Sequence, residues 1–501
     1  MFLLIIFVFP PLHNYGFHTS GIAFNIQVDY ISITFFTLLV VISSIVLIWS
    51  YYYCDGEINF KLFFFLVLSF ITSMIFLIFF GDIALILLGW DGLGLTRFLL
   101  VIFYKNRKRL GSGILTVMLN RTGDCFFLLV LAFGLGNGYV GSVCPTRGVI
   151  LILLSITKSA QFPFRSWLPA AIAAPTPVSA LVHSSTLVTA GVFILIRFSP
   201  GLPFYWLLFI GSLTIMLAGF SAFFENDIKK IVALSTLSQL GVIIVSISIG
   251  LVDFTFFHLC THAMFKALIF LCVGVGIHSV WGSQDLRSYG SLRFGIVYPY
   301  VLLILASASL LGFPFISGFY RKDLIVESFV NMNQSFIFLL IFLLGIGLTT
   351  GYSVKLIKNL SSCLDQNCSS MLSLGGFNLI VGGPLILLGV LSVFSGSLLS
   401  IMLELNFNIF FVWDKFMPLF FILLGVIMGI SSSSLCVRAS SMFFLVPSSQ
   451  LTSGVVEYSN VLRVDNGFIS SICSSSIFYT MGTSRLLLGG VTFFLYIFYF
   501  I

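Results

Sequence analysis

The chain is a succession of apolar runs separated by short polar breaks, and most runs approach the ~20 residues that cross a bilayer as a helix. Run length predicts spans over 31–50, 61–80, 82–104, 113–135, 148–168, 178–197, 204–223, 230–250, 254–277, 295–327, 336–354, 374–400, 416–437 and 486–501. Residues 1–11 add a further short span, because Met1 to Phe9 lacks the basic leader and small-residue cleavage site of a signal peptide. Two runs depart from the rule. The 148–168 run carries Lys158 and then Pro163 and Pro169; the 295–327 run is too long for one straight crossing and carries Gly312, Pro314, Gly318 and Lys322. Proline removes a backbone donor and clashes with the preceding turn, so both runs predict helices interrupted within the membrane.

Composition narrows the class. Of 501 residues, 59% are hydrophobic and 8% charged, with a mean hydropathy of +1.13; a soluble domain is typically about 25% charged. The expected fold is therefore an all-α polytopic membrane protein of about 14–16 transmembrane helices. Basic residues fall on alternate connections: Lys105, Arg107, Lys108 and Arg109, then Arg165, then Lys229 and Lys230, then Arg287 and Arg293, then Lys355 and Lys358. The opposite connections hold only Arg147, which is the positive-inside pattern and explains the net charge of +7 without a nucleic-acid partner. Nine cysteines occur with no CxxC pair, so neither zinc nor an iron–sulfur cluster is expected.

The spans divide into two sets of five, 61–197 and 204–354, each holding one interrupted helix. An odd number per set turns the second upside down relative to the first, so the layout predicts two inverted five-helix repeats with ion sites at the broken helices. The expected division is 1–60 for N-terminal helices, 61–200 and 201–358 for the repeats, and 359–501 for C-terminal helices ending in an anchor.

Ionisable groups inside spans cost at least about 2.5–3.5 kcal/mol each on insertion, which makes each a candidate for function. Asp91 lies in LLGWDGLGLT among Gly89, Gly92 and Gly94. Arg121 and Asp124 are three apart, hence on one helix face. His183 sits among Ser179, Ser184, Ser185, Thr186 and Thr189, while His258, His262 and Lys266 recur every four residues along one face. Two histidines at that spacing can chelate zinc, but no third ligand is evident and the continuation by lysine suits proton carriers better. Lys322 with Asp323 closes the series, and Arg97 is expected to reach toward the basic-side interface. A buried lysine is a useful proton site because desolvation disfavours its charge while a carboxylate restores it; Asp91 is the expected partner of Lys158.

At these residues the chain resembles a known family. The stretches LLGWDGLGL, TKSAQFPFRSWLPAAIAAPTPVSALVHSSTLVTAGVFILIRF, NDIKKIVALSTLSQLG, HLCTHAMFKALIFLCVG and GFPFISGFYRKDLIVE are together similar to the antiporter-like subunits of respiratory complex I, densely from Asp29 to Lys355. The resemblance implies a proton-pumping module of the mitochondrial inner membrane, associated with other complex I subunits and above all with a neighbouring antiporter-like one. It implies no cofactor in this chain, with NAD, FMN, iron–sulfur clusters and ubiquinone held by partner subunits. It makes Lys158 the central lysine, His183 the bridging histidine, Lys266 the connecting lysine preceded by His258 and His262, and Lys322 the terminal lysine. Arg121 and Asp124 would help couple neighbouring modules, and Lys229, Lys230 and Asp323 would support the series. In the family a glutamate stands where this chain has Asp91, one methylene shorter. Where the family has a long lateral helix this chain has residues 431–476, whose serine content and weak amphipathic pattern predict a short lateral segment at most. A stand-alone cation/proton antiporter and a channel or structural subunit are the competing classes.

Overall fold

A computed structural model describes residues 13–19, 22–57, 59–104, 106–136, 145–198, 205–280, 282–289, 296–313, 316–331, 336–361, 379–402 and 412–431. The expected first span at 1–11, the lateral segment at 431–476 and the anchor at 486–501 lie outside them apart from Ser431. Two antiparallel strands, β1 (His13–Thr19) and β2 (Ile22–Val28), pair from His13 with Val28 to Thr19 with Ile22. This hairpin departs from the all-helical expectation for the N-terminal region. Its signal is an alternation of polar and apolar residues on either side of a Ser20–Gly21 pair, a composition typical of hairpin turns.

The remainder is helical: α1 (Tyr30–Tyr53), α2 (Phe60–Phe79), α3 (Ile83–Ile102), α4 (Arg107–Gly136), α5 (Pro145–Lys158), α6 (Trp167–Ala170), α7 (Thr176–Ser184), α8 (Leu187–Phe198), α9 (Tyr205–Phe224), α10 (Ile228–Ser248), α11 (Val252–Ser279), α12 (Val297–Leu311), α13 (Ser317–Asn331), α14 (Phe336–Ser361), α15 (Leu379–Met402) and α16 (Val412–Ser431). Ten membrane-length apolar helical spans occur among the described residues, with shorter apolar helices at Gly148–Lys158, Val297–Leu311 and Met417–Ser431.

Burial sorts these helices into an inner and an outer set. The α7–α8 pair, α10 and α11 are buried on all sides, while α4 is mostly exposed. α11 is central: it packs on α1, α7, α10, α12 and α15. The inner helices are those that carry the polar groups lipid cannot solvate, His183 on α7, Ser235 and Gln239 on α10 and His258, His262 and Lys266 on α11.

Both expected interruptions are present, as the fourth element of each five-span set. The first set breaks after Lys158, where Ala160 takes a left-handed conformation at φ 56° and ends the helix. The second breaks at Gly312, φ 85°, between α12 and α13. There the missing side chain is required, because a Cβ at that φ is strained and would also meet the Lys322 Cδ at 3.2 Å. A third break was not expected: the 178–197 span divides between Ser184 and Leu187, leaving His183 in the last turn of α7. A cluster including Ile215, Val242, Val245, Ile325, Phe329 and Phe342 packs α9, α10, α13 and α14 together, so the second broken helix is held by core contacts on both sides.

Candidate proton pathway

The ends of broken helices leave carbonyls without intrahelical donors, and each break meets this need with a side chain from its own second piece. At the end of α5, the Trp167 indole N–H donates to the Thr157 carbonyl at 2.9 Å. At the end of α12, the Lys322 ammonium donates to the carbonyls of Leu310 at 2.6 Å and Leu311 at 3.3 Å, and to the Thr349 hydroxyl at 3.4 Å. A cation at a helix C-terminus also faces the negative end of the helix dipole. Lys322 is thus the cap of the helix it interrupts, and its charge is balanced by aligned carbonyls.

Lys158 is fully enclosed. Its ammonium donates to the Trp90 carbonyl at 3.0 Å and lies 4.4 Å from the Trp90 ring centroid. The indole N–H of Trp90 donates in turn to Asp124 Oδ1 at 2.9 Å, and Arg121 pairs with Asp124 Oδ2 at 3.5 Å. Gly123 makes this approach feasible: any Cβ there would run into the Thr157 hydroxyl, so the glycine lets α4 lie against the end of α5. The expected partner Asp91 makes no hydrogen bond or ion pair with Lys158 here, and its Oδ1 meets no hydrogen-bond donor among the described residues, whereas Asp124 is linked to Lys158 through Trp90. The physical reason is the indole, which fills the space between α3 and α4 and carries the interaction from lysine to carboxylate.

His183 is buried and stacks on Phe270 of α11, with ring centroids 5.6 Å apart. Neither of its ring nitrogens meets a hydrogen-bond partner among the described residues. Lys266, on α11, donates to the Ser235 hydroxyl of α10 at 2.5 Å, and Ser235 donates its own hydrogen bond to the Val232 carbonyl at 2.6 Å. His258 and His262 lie fully buried one and two turns before it, their rings 6.4 Å apart, as their spacing predicts. A cavity of about 20 Å³ lies between Ser235, Ser307, Leu310, Tyr352 and Ser353. That is room for one water, but the lining is almost wholly apolar, its serine and tyrosine hydroxyls being turned to other partners. Since Ser235 holds Lys266 and the Leu310 carbonyl holds Lys322, the cavity lies between the anchoring groups of these two lysines.

The two halves are joined by a buried hydrogen bond from the Thr214 hydroxyl of α9 to Gln161 Oε1 at 2.6 Å, directly after the first break. Lys229 and Lys230 both stand in the first turn of α10 but separate in role. Lys229 is buried toward the Ala174 carbonyl at 3.5 Å, whereas Lys230 pairs with Asp227 at 2.5 Å beside solvent. Lys322 is placed as described; the side chain of Asp323 lies outside the described residues. Trp90, Trp167, Ser235 and Tyr352 were not singled out from sequence. Trp90 carried a signal, standing one residue before Asp91 in GWDG; the two hydroxyls carried none, since serine and tyrosine are common in apolar helices.

Residues 81–349 match the family model described as NADH:quinone oxidoreductase/Mrp antiporter, TM. The chain is 43% identical over 436 residues to NADH-ubiquinone oxidoreductase chain 5 of Locusta migratoria, covering 83% of this chain and 75% of that one. It is 42% identical over 432 residues to the same-named protein of Lumbricus terrestris, covering 83% and 74%. Among solved structures, a chain of the Mrp complex from Dietzia sp. DQ12-45-1b superposes with a TM-score of 0.76 at 23% identity, covering 99% of this chain. This chain spans 58% of that chain's length, and the likeness is one of fold.

Proposed function

The chain belongs to the NADH:quinone oxidoreductase/Mrp antiporter transmembrane family, and from that membership we propose that it is a proton-translocating membrane-arm subunit of NADH:ubiquinone oxidoreductase, respiratory complex I. Its location is the mitochondrial inner membrane, as one component of a multi-subunit complex whose neighbouring antiporter-like subunit packs beside it. NADH, FMN, iron–sulfur clusters and ubiquinone belong to partner subunits, and this chain supplies proton transfer alone.

The observation that carries the reading is the series of four buried bases in two broken-helix sets: Lys158, His183, Lys266 and Lys322. The three lysines are held in part by groups that can reorient, carbonyls and hydroxyls. Lys158 rests on a carbonyl, with Asp124 one indole away. Lys266 rests on a hydroxyl, and Lys322 on carbonyls beside a hydroxyl. A lysine held by a carbonyl or hydroxyl can lose its proton when its surroundings shift slightly. His258 and His262 add further buried acid–base groups beside the series, with half-buried Asp91 and Lys229, Lys230 and Asp323 at its edges.

Native mass spectrometry of the purified complex tests the assignment: co-purification with flavin- and iron–sulfur-bearing subunits supports it. Isolation as a self-sufficient exchanger that drives cation/proton exchange in vesicles without them would replace it by the stand-alone antiporter.

A further inference from the structure

Arg97 is a buried cation outside the series of proton carriers. It is almost wholly buried, its guanidinium lies 3.9 Å over the Trp167 ring, and none of its three nitrogens meets a hydrogen-bond acceptor among the described residues. An arginine is charged at any physiological pH, and burying one without acceptors costs several kcal/mol. The expected escape to the interface does not occur: the side chain turns inward although α3 ends only at Ile102.

Its placement is specific. Trp90, Gly94 and Arg97 follow one another at helical spacing along one face of α3. Trp90 supplies the carbonyl that holds Lys158, and the Lys158 ammonium is the nearest atom to the open side of Gly94. Trp167, the seat of Arg97, also donates to Thr157, the residue before Lys158. One indole thus fixes both the end of the Lys158 helix and the buried cation.

We propose that Arg97 is a positioning residue of the proton pathway: a permanent positive charge, seated by Trp167 beside the end of the Lys158 helix, that shortens the residence of a proton on Lys158. This rests on the reading of Lys158 as a proton carrier. The charged groups facing Lys158 are Asp124 and Arg121 from α4 and Asp91 and Arg97 from α3. The carboxylates hold the proton, and Arg97 opposes them without ever accepting it. Such a device makes release from Lys158 depend on small movements of Asp124 rather than on a large change in local charge.

The test compares membrane-reconstituted complex carrying Arg97→Gln, Arg97→Lys and, as a control, Lys158→Ala, reading proton pumping and coupled quinone reduction from pH 6 to 10. Removing a like charge beside a titrating group moves its midpoint by about one pH unit, a tenfold change in proton affinity. Arg97→Gln should therefore carry the alkaline limb of activity upward by about that amount, while Arg97→Lys, which keeps a cation, leaves it near wild type. An unmoved limb in Arg97→Gln, or an equal shift in both variants, overturns the proposal in favour of packing alone. Normal pumping by Lys158→Ala overturns the carrier reading instead, and so keeps the two failures apart. If Arg97→Gln does not assemble, Trp167→Leu removes the ring under the guanidinium and Trp167→Phe keeps it. The limb should move in the first only; movement in both or neither counts against the assignment.

Discussion

Lys158 and Trp90 are joined twice: the lysine ammonium donates to the Trp90 carbonyl at 3.0 Å and lies 4.4 Å from the centre of its indole ring. The same indole donates to Asp124 at 2.9 Å, so one tryptophan lies between the base and the carboxylate that balances it. A direct lysine–carboxylate pair in a dry site is difficult to open, because separating the charges is costly at low dielectric. Interposing a ring and a carbonyl weakens the pair enough to make protonation reversible.

Lys158→Ala should assemble into the complex and lower both proton pumping and coupled quinone reduction. Positioned acid–base groups contribute at least about a hundredfold to a proton-transfer step, so transfer through this chain should fall by that order. The ratio of protons pumped to NADH oxidised is the measurement. A normal ratio removes Lys158 from the pathway.

Asp124→Asn should be more damaging than Asp91→Asn, and Asp91→Glu should be nearly silent. Asp124 accepts from Trp90 and pairs with Arg121, while Asp91 acts on Lys158 only at a distance. Steady-state pumping by the three variants orders them; the reverse order would restore Asp91 as principal partner. Trp90→Phe keeps the ring and deletes the donor to Asp124, a charge-assisted hydrogen bond worth roughly 1.5–3 kcal/mol.

Ser235→Ala removes an acceptor of Lys266 at the edge of the cavity between Ser235 and Leu310. Pumping should slow severalfold, with a smaller loss in Tyr352→Phe, whose hydroxyl also reaches Ser238 at 3.2 Å. A raised solvent deuterium isotope effect in Ser235→Ala would place the slow step at this transfer. An unchanged rate in both variants would show that protons bypass the cavity.

Glu225, just beyond the end of α9, gives a pH effect of definite sign. Burial raises its carboxyl above the ordinary value, against the lowering by Lys230 and Lys355 and with Asp227 adding to the rise. A carboxyl raised in the folded state is bound more tightly to its proton there, so its favourable contribution is present at acid pH and fades as pH rises through the raised value. Glu225→Gln, which mimics the protonated form, should raise the thermal midpoint at pH 7.5 and lose that advantage toward pH 4.5. Differential scanning fluorimetry of the purified complex at the two pH values checks this; an advantage that grows at acid pH reverses the sign.

Apolar run length and sparse charge determined the membrane class and most helix positions, because a bilayer demands about twenty apolar residues per crossing whatever the neighbours are. Proline, glycine and lysine within such runs likewise marked both expected breaks, since each disrupts a helix or is costly in lipid for reasons local to itself. The break beside His183 carried no such mark: no proline or glycine stands between Ser184 and Leu187, and the helices on its two sides pack against α1, α5, α10 and α11. Pairings between helices were also beyond the sequence. Asp91 and Asp124 are equally acidic on paper, and the choice of Asp124 depends on where the Trp90 indole points. Arg97 carries the same composition signal as any arginine near a helix end, yet it lies buried on Trp167, seventy positions away, because the fold brings that ring beneath it. Periodicity along one helix fixes which residues share a face; which faces meet, and hence which charge acts on which, is decided by tertiary packing.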